Sequence, residues 1–297
     1  MPVTIHDIAE HLDLSITTVS RALNDYSDIS TETRERVLAA AVELGYIPNR
    51  AARQLRLQRS EAIGYILPAS TPRFADPFFS EFISGLGDET ASHQFDLLIS
   101  TASPQTEAER FLYQHWIQGR KVDGVILDRM HLSDWRVQYL TEVGFPFVSL
   151  ERSLDEMDYP SIEVDSKSGF VALVAHLIGR GFRRIAYIGG PSELKIQADR
   201  LAGYQSGLAI AGLPVDPEMI LQGDLTSPSG YQAALTLLSG KHPPTAIVCV
   251  NDETAFGVLN AAHEKGLVVG KDLAVAGFDG VQDAKHSQPP LTTLDQP

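Results

Sequence analysis

"TIHDIAEHLDLSITTVSRALN", residues 4–24, decides how the start of this chain folds. Ile5, Ile8, Ala9 and Leu12 recur at helical spacing, so the stretch opens with a short helix carrying one apolar stripe. Thr4 stands at its N-cap, and Asp7, three residues on, holds the acidic position of a capping box. Asp13 and Leu14 break the period. A second helix restarts after Ser15, whose hydroxyl can cap first-turn amides, with Val19, Ala22 and Leu23 inward and Ile16, Thr17 and Arg21 outward. Two short helices across a tight turn form a helix-turn-helix pattern. A third helix, in "ISTETRERVLAAAVELGY" (residues 29–46), is capped by Ser30 and expected to bury Val37, Leu38, Ala41 and Leu44. It ends at Gly45, the residue type best suited to a left-handed C-cap.

For a helix lying in a major groove, Thr17 offers a hydroxyl and a methyl, Ile16 an apolar contact for a thymine methyl, and Arg21 a fork matching guanine O6 and N7. The same residues would serve as the solvated face of a plain three-helix unit. Charge bears on the choice. The whole chain has a formal charge of -14, yet residues 1–60 hold seven arginines against eight acids, whereas residues 61–297 hold 17 Lys/Arg against 30 Asp/Glu. A polyanion is repelled by the second part, so nucleic-acid contact must come from a local patch near the N-terminus. "NRAARQLRLQR", residues 49–59, supplies one: Arg50, Arg53, Arg56 and Arg59 with no acid between Leu44 and Ser60. As a helix it would place Ala51, Ala52 and Leu55 on one face, too little for a core and too short to be stable alone, so a partner must order it. Arginines contact phosphates, and a leucine among small residues can wedge between base steps in a minor groove. A basic linker with an incidental leucine is the alternative.

From Ala62 onward, apolar runs ("AIGYIL", "FDLLIS", "DGVIL", "FVSL", "SIEV", "RIAYIGG", "AIVCV", "LAVAGF") alternate with helix-length segments, which implies βαβ units and parallel sheets. The polar, proline-containing "LDEMDYPS" (residues 154–161) divides this part into subdomains of about 62–158 and 160–290. In paired open α/β sheets a ligand lies between them at the carboxyl ends of strands. Asp128 with Arg129 after "DGVIL", Arg200 after "RIAYIGGPSE", Asn251 and Asp252 after "AIVCV" and Asp279 after "LAVAGF" are the candidates. Carboxylate, amide and guanidinium together suit a polyhydroxylated ligand.

Enzyme chemistry lacks its residues. "YIGGPSE" misses dinucleotide-loop spacing, no Walker lysine occurs, the nine histidines form no HExxH pair, and no nucleophile has a base. No catalytic residue, cofactor or metal is expected. The single cysteine, Cys249, lies within "TAIVCV" and reads as a buried strand thiol. With no signal region and no apolar run of about 18 residues, the expected compartment is cytoplasmic, without membrane contact.

"VTIHDIAEHLDLSITTVSRALND", "ISTETRERVLAAAVELGYIPNRAARQLR" and "EAIGYILP" resemble the N-terminal domain, hinge and first regulatory strand of the lactose-repressor and purine-repressor (LacI/GalR) family. The resemblance implies an all-α helix-turn-helix headpiece (residues 1–48), a hinge helix (49–59) and an α/β periplasmic-binding-protein-like regulatory domain with two parallel-sheet subdomains (60–297). Ser15 and Thr33 match phosphate-contacting positions, and Ile16, Thr17 and Arg21 base-reading ones. Asn49, Ala52, Arg53 and Leu55 match the hinge, with Leu55 as minor-groove wedge; Thr4 completes the DNA-facing set. Arg200, Asn251 and Asp279 match effector-contacting positions, joined by Asp128. Phe78 and Phe79 fall where members place aromatic contacts, although either could be a core residue of a helix face.

Leu194 and Ile196 stand where purine-responsive members have polar contacts, so a sugar, sugar alcohol or sugar phosphate is the expected effector. The implied function is a ligand-controlled regulator, a repressor, acting as a homodimer on a pseudopalindromic double-stranded operator. Members continue past "LTTLDQP" into a last crossover and closing helix; here Pro297 is the end, which reads as a truncated or shortened member.

Overall fold

A computed structural model describes residues 3–47, 54, 59–68, 77–153 and 157–296. Two compact units divide the chain, Met1–Arg59 and Ser60–Pro297.

The first unit contains α1 (Ile5–Leu12), α2 (Ile16–Leu23) and α3 (Thr31–Leu44). Ile8, Ala9, Val19, Ala22, Val37, Ala40 and Ala41 form its buried centre, ringed by Ile5, Leu12, Leu23 and Leu44. Burying each of Ile8, Val19 and Val37 contributes about 1.5–3 kcal/mol. At the start of α1 the Asp7 carboxylate accepts from both the amide and the hydroxyl of Thr4 (2.7 Å each), which holds its pKa below the ordinary value. Ser15 accepts from the Thr18 amide, Ser30 from the Thr33 amide, and Gly45 closes α3 at φ 68°. One expected core position is wrong: Leu38 is 48% exposed and Ala40 takes its place. Positions 37, 40, 41 and 44 share one stripe, while residue 38 lies about 100° round the helix from 37.

The second unit holds two all-parallel sheets. The first contains β1 (Ala62–Pro68), β2 (Asp96–Ala102), β3 (Gly124–Leu127), β4 (Phe147–Leu150) and β5 (Ser161–Ile162), in the order β2-β1-β3-β4-β5. Helices α4 (Pro77–Ser92), α5 (Glu107–Gln118) and α6 (Trp135–Glu142) connect them. The second contains β6 (Ile185–Gly189), β7 (Ile220–Gln222), β8 (Ala246–Cys249) and β9 (Ala274–Ala276), in the order β7-β6-β8-β9. Around it lie α7 (Ser166–Gly179), α8 (Lys195–Ile210), a 3₁₀ turn (Pro217–Met219), α9 (Ser227–Leu238), α10 (Asp252–Glu264) and α11 (Gln282–His286).

Every residue of β6 and β8 is buried, the pattern of a strand covered by helices on both faces. Cys249 is among them, and burial pushes its thiol well up. The sequence boundary between subdomains needs correction at both ends. Ser161 and Ile162 pair with Ser149 and Leu150 in the first sheet, so the chain crosses after β5 rather than near residue 159. Beyond residue 290, Thr292 and Asp295 pair back onto Ala276 and Asp279, extending the second half past its expected end. Strand order reverses between β1 and β3 and again between β6 and β8, which opens a crevice at the carboxyl ends of both pairs. Backbone bonds join the halves beside it: Lys195 N–H donates to Met130 O (2.8 Å) and Leu132 N–H to Glu193 O (2.9 Å).

Candidate functional site

In the first unit, Ile16, Thr17 and Arg21 are all exposed on α2, with residues 17 and 21 one turn apart on the same face. The Arg21 fork is not open. Its Nη2 lies 2.7 Å from Asp28 Oδ2, and its guanidinium rests over the Tyr26 ring at 5.2 Å. An exposed pair of this kind contributes only about 0–1 kcal/mol, so it can yield to a stronger partner. Ser15 and Thr33 are both occupied in helix caps, Ser15 Oγ with Thr18 and Thr33 Oγ1 with Ser30 (2.8 Å each). Thr4 is bound to Asp7. Asn49, Ala52, Arg53 and Leu55 lie outside the described residues.

In the second unit, one cleft of about 570 Å³, its open mouth included, is lined by Phe78, Phe79, Asp128, Arg200, Asn251 and Asp279. Seven of the eight sequence-derived candidates, Arg129 included, meet there. Phe79 is both core and cleft: it is buried with Tyr65 and Leu67, and Arg129 lies over its ring at 4.8 Å. Phe78 stacks on Phe82 at 6.0 Å.

Asp128 directly follows β3. Its Oδ2 accepts from the Tyr65 hydroxyl at 2.8 Å, while buried Oδ1 has no partner among the described residues. Burial pushes the Asp128 carboxyl above its ordinary value, against the opposing pull of Arg129 and the Tyr65 hydrogen bond. Arg200, near the start of α8, donates from Nη1 to Val250 O at 2.5 Å and stacks over Phe278 at 4.1 Å. Its Nε is also buried with no partner among the described residues. Asp279 Oδ1 accepts from Gln296 Nε2 at 2.6 Å and stands 3.7 Å from Arg200 Nη1. Asp279 holds φ 134°, a backbone region suited to glycine.

Asn251 is largely committed to the fold. As N-cap of α10 its Oδ1 accepts from the Thr254 amide (3.0 Å) and hydroxyl (2.5 Å), and Nδ2 donates to Leu225 O (3.1 Å). An amide has two acceptor lone pairs and two donor hydrogens, so one Nδ2 hydrogen is left for a ligand. Asp252 is not part of the cleft lining. It is fully buried and accepts from the amides of Gly280 and Val281 and from Thr293 Oγ1, tying the turn after β9 to α10. Of the two apolar departures, Ile196 lines the cleft whereas Leu194 is buried in the core.

Sequence reading missed Glu151, Leu150, Val164, Leu225 and Gln296 in the lining. Glu151 matters most. It immediately follows β4, holds φ 75°, and its Oε2 is buried with no partner among the described residues. Burial pushes its carboxyl up to about 7, opposed by the Arg200 charge.

A model of the lacI family of bacterial regulatory proteins matches residues 4–49, and one of a periplasmic binding protein-like domain matches residues 174–297. The HTH-type transcriptional regulator AglR of Rhizobium meliloti (strain 1021) is 35% identical over 99% of this chain and 83% of its own length. The chain belongs to the lacI family. It is a DNA-binding transcription regulator, not an enzyme. Among solved structures, the lac repressor dimer bound to operator and the anti-inducer ONPF is 31% identical with TM-score 0.85, covering 100% of this chain and 88% of that one. The complex of transcriptional regulator CelR with cellobiose is 31% identical with TM-score 0.75, covering 99% and 88%. Helix-turn-helix unit and two-sheet cleft thus recur together in these relatives. Among the described residues no helix is long and apolar enough to cross a membrane.

Proposed function

We propose that this regulator is a repressor whose hold on a pseudopalindromic operator is set by a sugar or sugar derivative bound in the cleft. The convergence of Phe78, Phe79, Asp128, Arg200, Asn251 and Asp279 on one cleft at two switch points carries this reading. The CelR complex holds cellobiose and the lac repressor binds its operator as a dimer, which supports a carbohydrate effector and a homodimer here. In the dimer, α2 of each copy enters a major groove, Ser15, Thr33 and Thr4 lie towards phosphates, and Ile16, Thr17 and Arg21 read bases. Asn49, Ala52, Arg53 and Leu55 follow the minor groove at the operator's centre. An effector that prefers one closure of the cleft shifts the population of operator-competent dimers by its differential affinity. The test is fluorescence anisotropy on the operator with and without a carbohydrate panel. If no member of the panel moves operator affinity, the effector assignment fails.

Two predictions concern the DNA-facing residues. Arg21→Ala is expected to cost about 1–3 kcal/mol on the cognate operator and little on scrambled DNA. Asp28→Ala, which frees the Arg21 fork, is expected to tighten operator binding by about 1 kcal/mol or less. Anisotropy titrations on both sequences check this; equal losses of Arg21→Ala on the two would mean that it touches only backbone. Leu55→Ala spares helix propensity and phosphate contacts but removes the wedge. Operator bending, measured by fluorescence transfer between end labels, is expected to fall sharply with nonspecific affinity retained. An unchanged bend would remove Leu55 from that role.

A further inference from the structure

Three buried polar atoms in the cleft have no partner among the described residues: Asp128 Oδ1, Glu151 Oε2 and Arg200 Nε. Two are acceptors and one is a donor. A hydroxyl both donates and accepts, so a ligand bearing several hydroxyls can satisfy all three. The charges are equally informative. Asp128, Glu151 and Asp279 line the cleft against Arg129 and Arg200, an excess of one carboxylate among the described residues. Both arginines are already partly engaged: Arg200 by Val250 O through Nη1, by the Phe278 ring and by the nearby Asp279, with Nε a buried donor lacking a partner among the described residues, and Arg129 by the Phe79 ring.

Glu151 is held where it meets such a ligand. Its amide donates to Ile162 O at 2.7 Å, its carbonyl accepts from Ser149 Oγ at 2.5 Å, and the backbone sits at φ 75°, which a non-glycine residue keeps only when its surroundings enforce it. We propose that Glu151 makes this cleft selective for an uncharged, polyhydroxylated effector and excludes the phosphorylated form of the same sugar. The inference rests on the cleft being the effector site. A phosphate brought beside the ionised Glu151 would face like charge in a water-poor space, whereas a hydroxyl donates to it. A cationic sugar gains the carboxylates but meets both arginines.

The pH behaviour supports the same assignment. The charged groups facing Glu151 are Arg200, Asp199 and Lys195 on α8 and Asp128 after β3. Burial holds the carboxyl near the top of its range, at about 7, so a large fraction is protonated near neutrality. A ligand hydroxyl donating to Oε2 favours the ionised form. Affinity for an uncharged sugar therefore rises with pH, by up to roughly tenfold between pH 6 and 8.

The test is calorimetry on the full chain with glucose, fructose and cellobiose, their 6-phosphates, and glucosamine. At least one uncharged sugar is expected to bind, its phosphate about a hundredfold more weakly or not at all, with affinity rising from pH 6 to pH 8. In Glu151→Gln, confirmed folded by circular dichroism, the pH dependence flattens and discrimination against the phosphate relaxes at least tenfold. Binding of a phosphate as tight as its parent sugar, or of glucosamine tighter than glucose, would overturn the selectivity while leaving the cleft as effector site. If nothing in the panel binds, the effector reading itself falls. Where the phosphate binds neither form, the pH arm decides, and a wild-type affinity flat from pH 6 to 8 removes Glu151 from the role.

Discussion

Asp279→Ala is expected to leave a folded, operator-binding protein that no longer responds to its effector. The carboxylate lines the cleft, and a ligand hydroxyl that donates to it would be left buried and unpaired, at about 1–3 kcal/mol per group. The same change also weakens the fold. Asp279 accepts from Gln296 Nε2 at 2.6 Å and lies 3.7 Å from the buried Arg200 guanidinium, so alanine leaves an amide and a cation short of their acceptor. A loss of about 1–3 kcal/mol in stability follows. Asp279→Gly separates the two effects. At φ 134° the aspartate pays a backbone penalty that alanine keeps and glycine relieves. The glycine variant should be more stable than the alanine variant by about 1 kcal/mol or more, yet equally unresponsive. Calorimetry with the active sugar and urea melts of all three proteins check this; full effector affinity in Asp279→Ala would make the residue purely structural.

The strand-end residues were legible because a single rule finds them: a polar side chain immediately after an apolar run lies at the carboxyl end of a strand. Asp128, Asn251 and Asp279 follow that rule, and each lines the cleft. Glu151 obeys it too, after "FVSL". It escaped because the short polar stretch that follows looked like a domain linker rather than a sheet edge, and β5, only two residues long, carries too little apolar pattern to announce itself.

Leu38 and Leu194 show the opposite limit. Periodicity tells that a residue is near an apolar stripe, but a rotation of one residue moves Leu38 outside, and matching Leu194 to a family contact position did not reveal that it is buried in a core instead of the cleft. Asn251 shows a third. Its position was readable, but not that its oxygen is consumed by Thr254, since capping and ligand contact ask for the same side chain. Pairing across distant segments, such as Gln296 with Asp279, left no local signal at all.

The cleft depends on a helix crossing that tolerates no side chain. Where α9 meets α10, a Cβ on Gly257 would stand 2.0 Å from Ser227 O and 2.6 Å from the Tyr231 amide nitrogen; one on Gly230 would stand 2.2 Å from Thr254 O. These are backbone atoms, which cannot swing aside as a flexible side chain can, so the helices themselves must separate. Separation reaches the site directly. Asn251 caps α10 and donates to Leu225 O in the segment leading into α9, and both residues line the cleft. Gly257→Ala is therefore expected to destabilise the second unit by about 3 kcal/mol or more, or to prevent its folding, and to abolish the effector response with it. Gly85→Ala supplies the contrast within the same unit. Gly85 lies exposed in α4, with nothing within 4 Å of an added Cβ, so alanine should stabilise by about 0.5–1 kcal/mol through helix propensity alone. Urea unfolding followed by circular dichroism distinguishes the two. A Gly257→Ala protein that melts with its parent would mean that α9 and α10 do not approach this closely, and that their contact does not position Asn251 and Leu225.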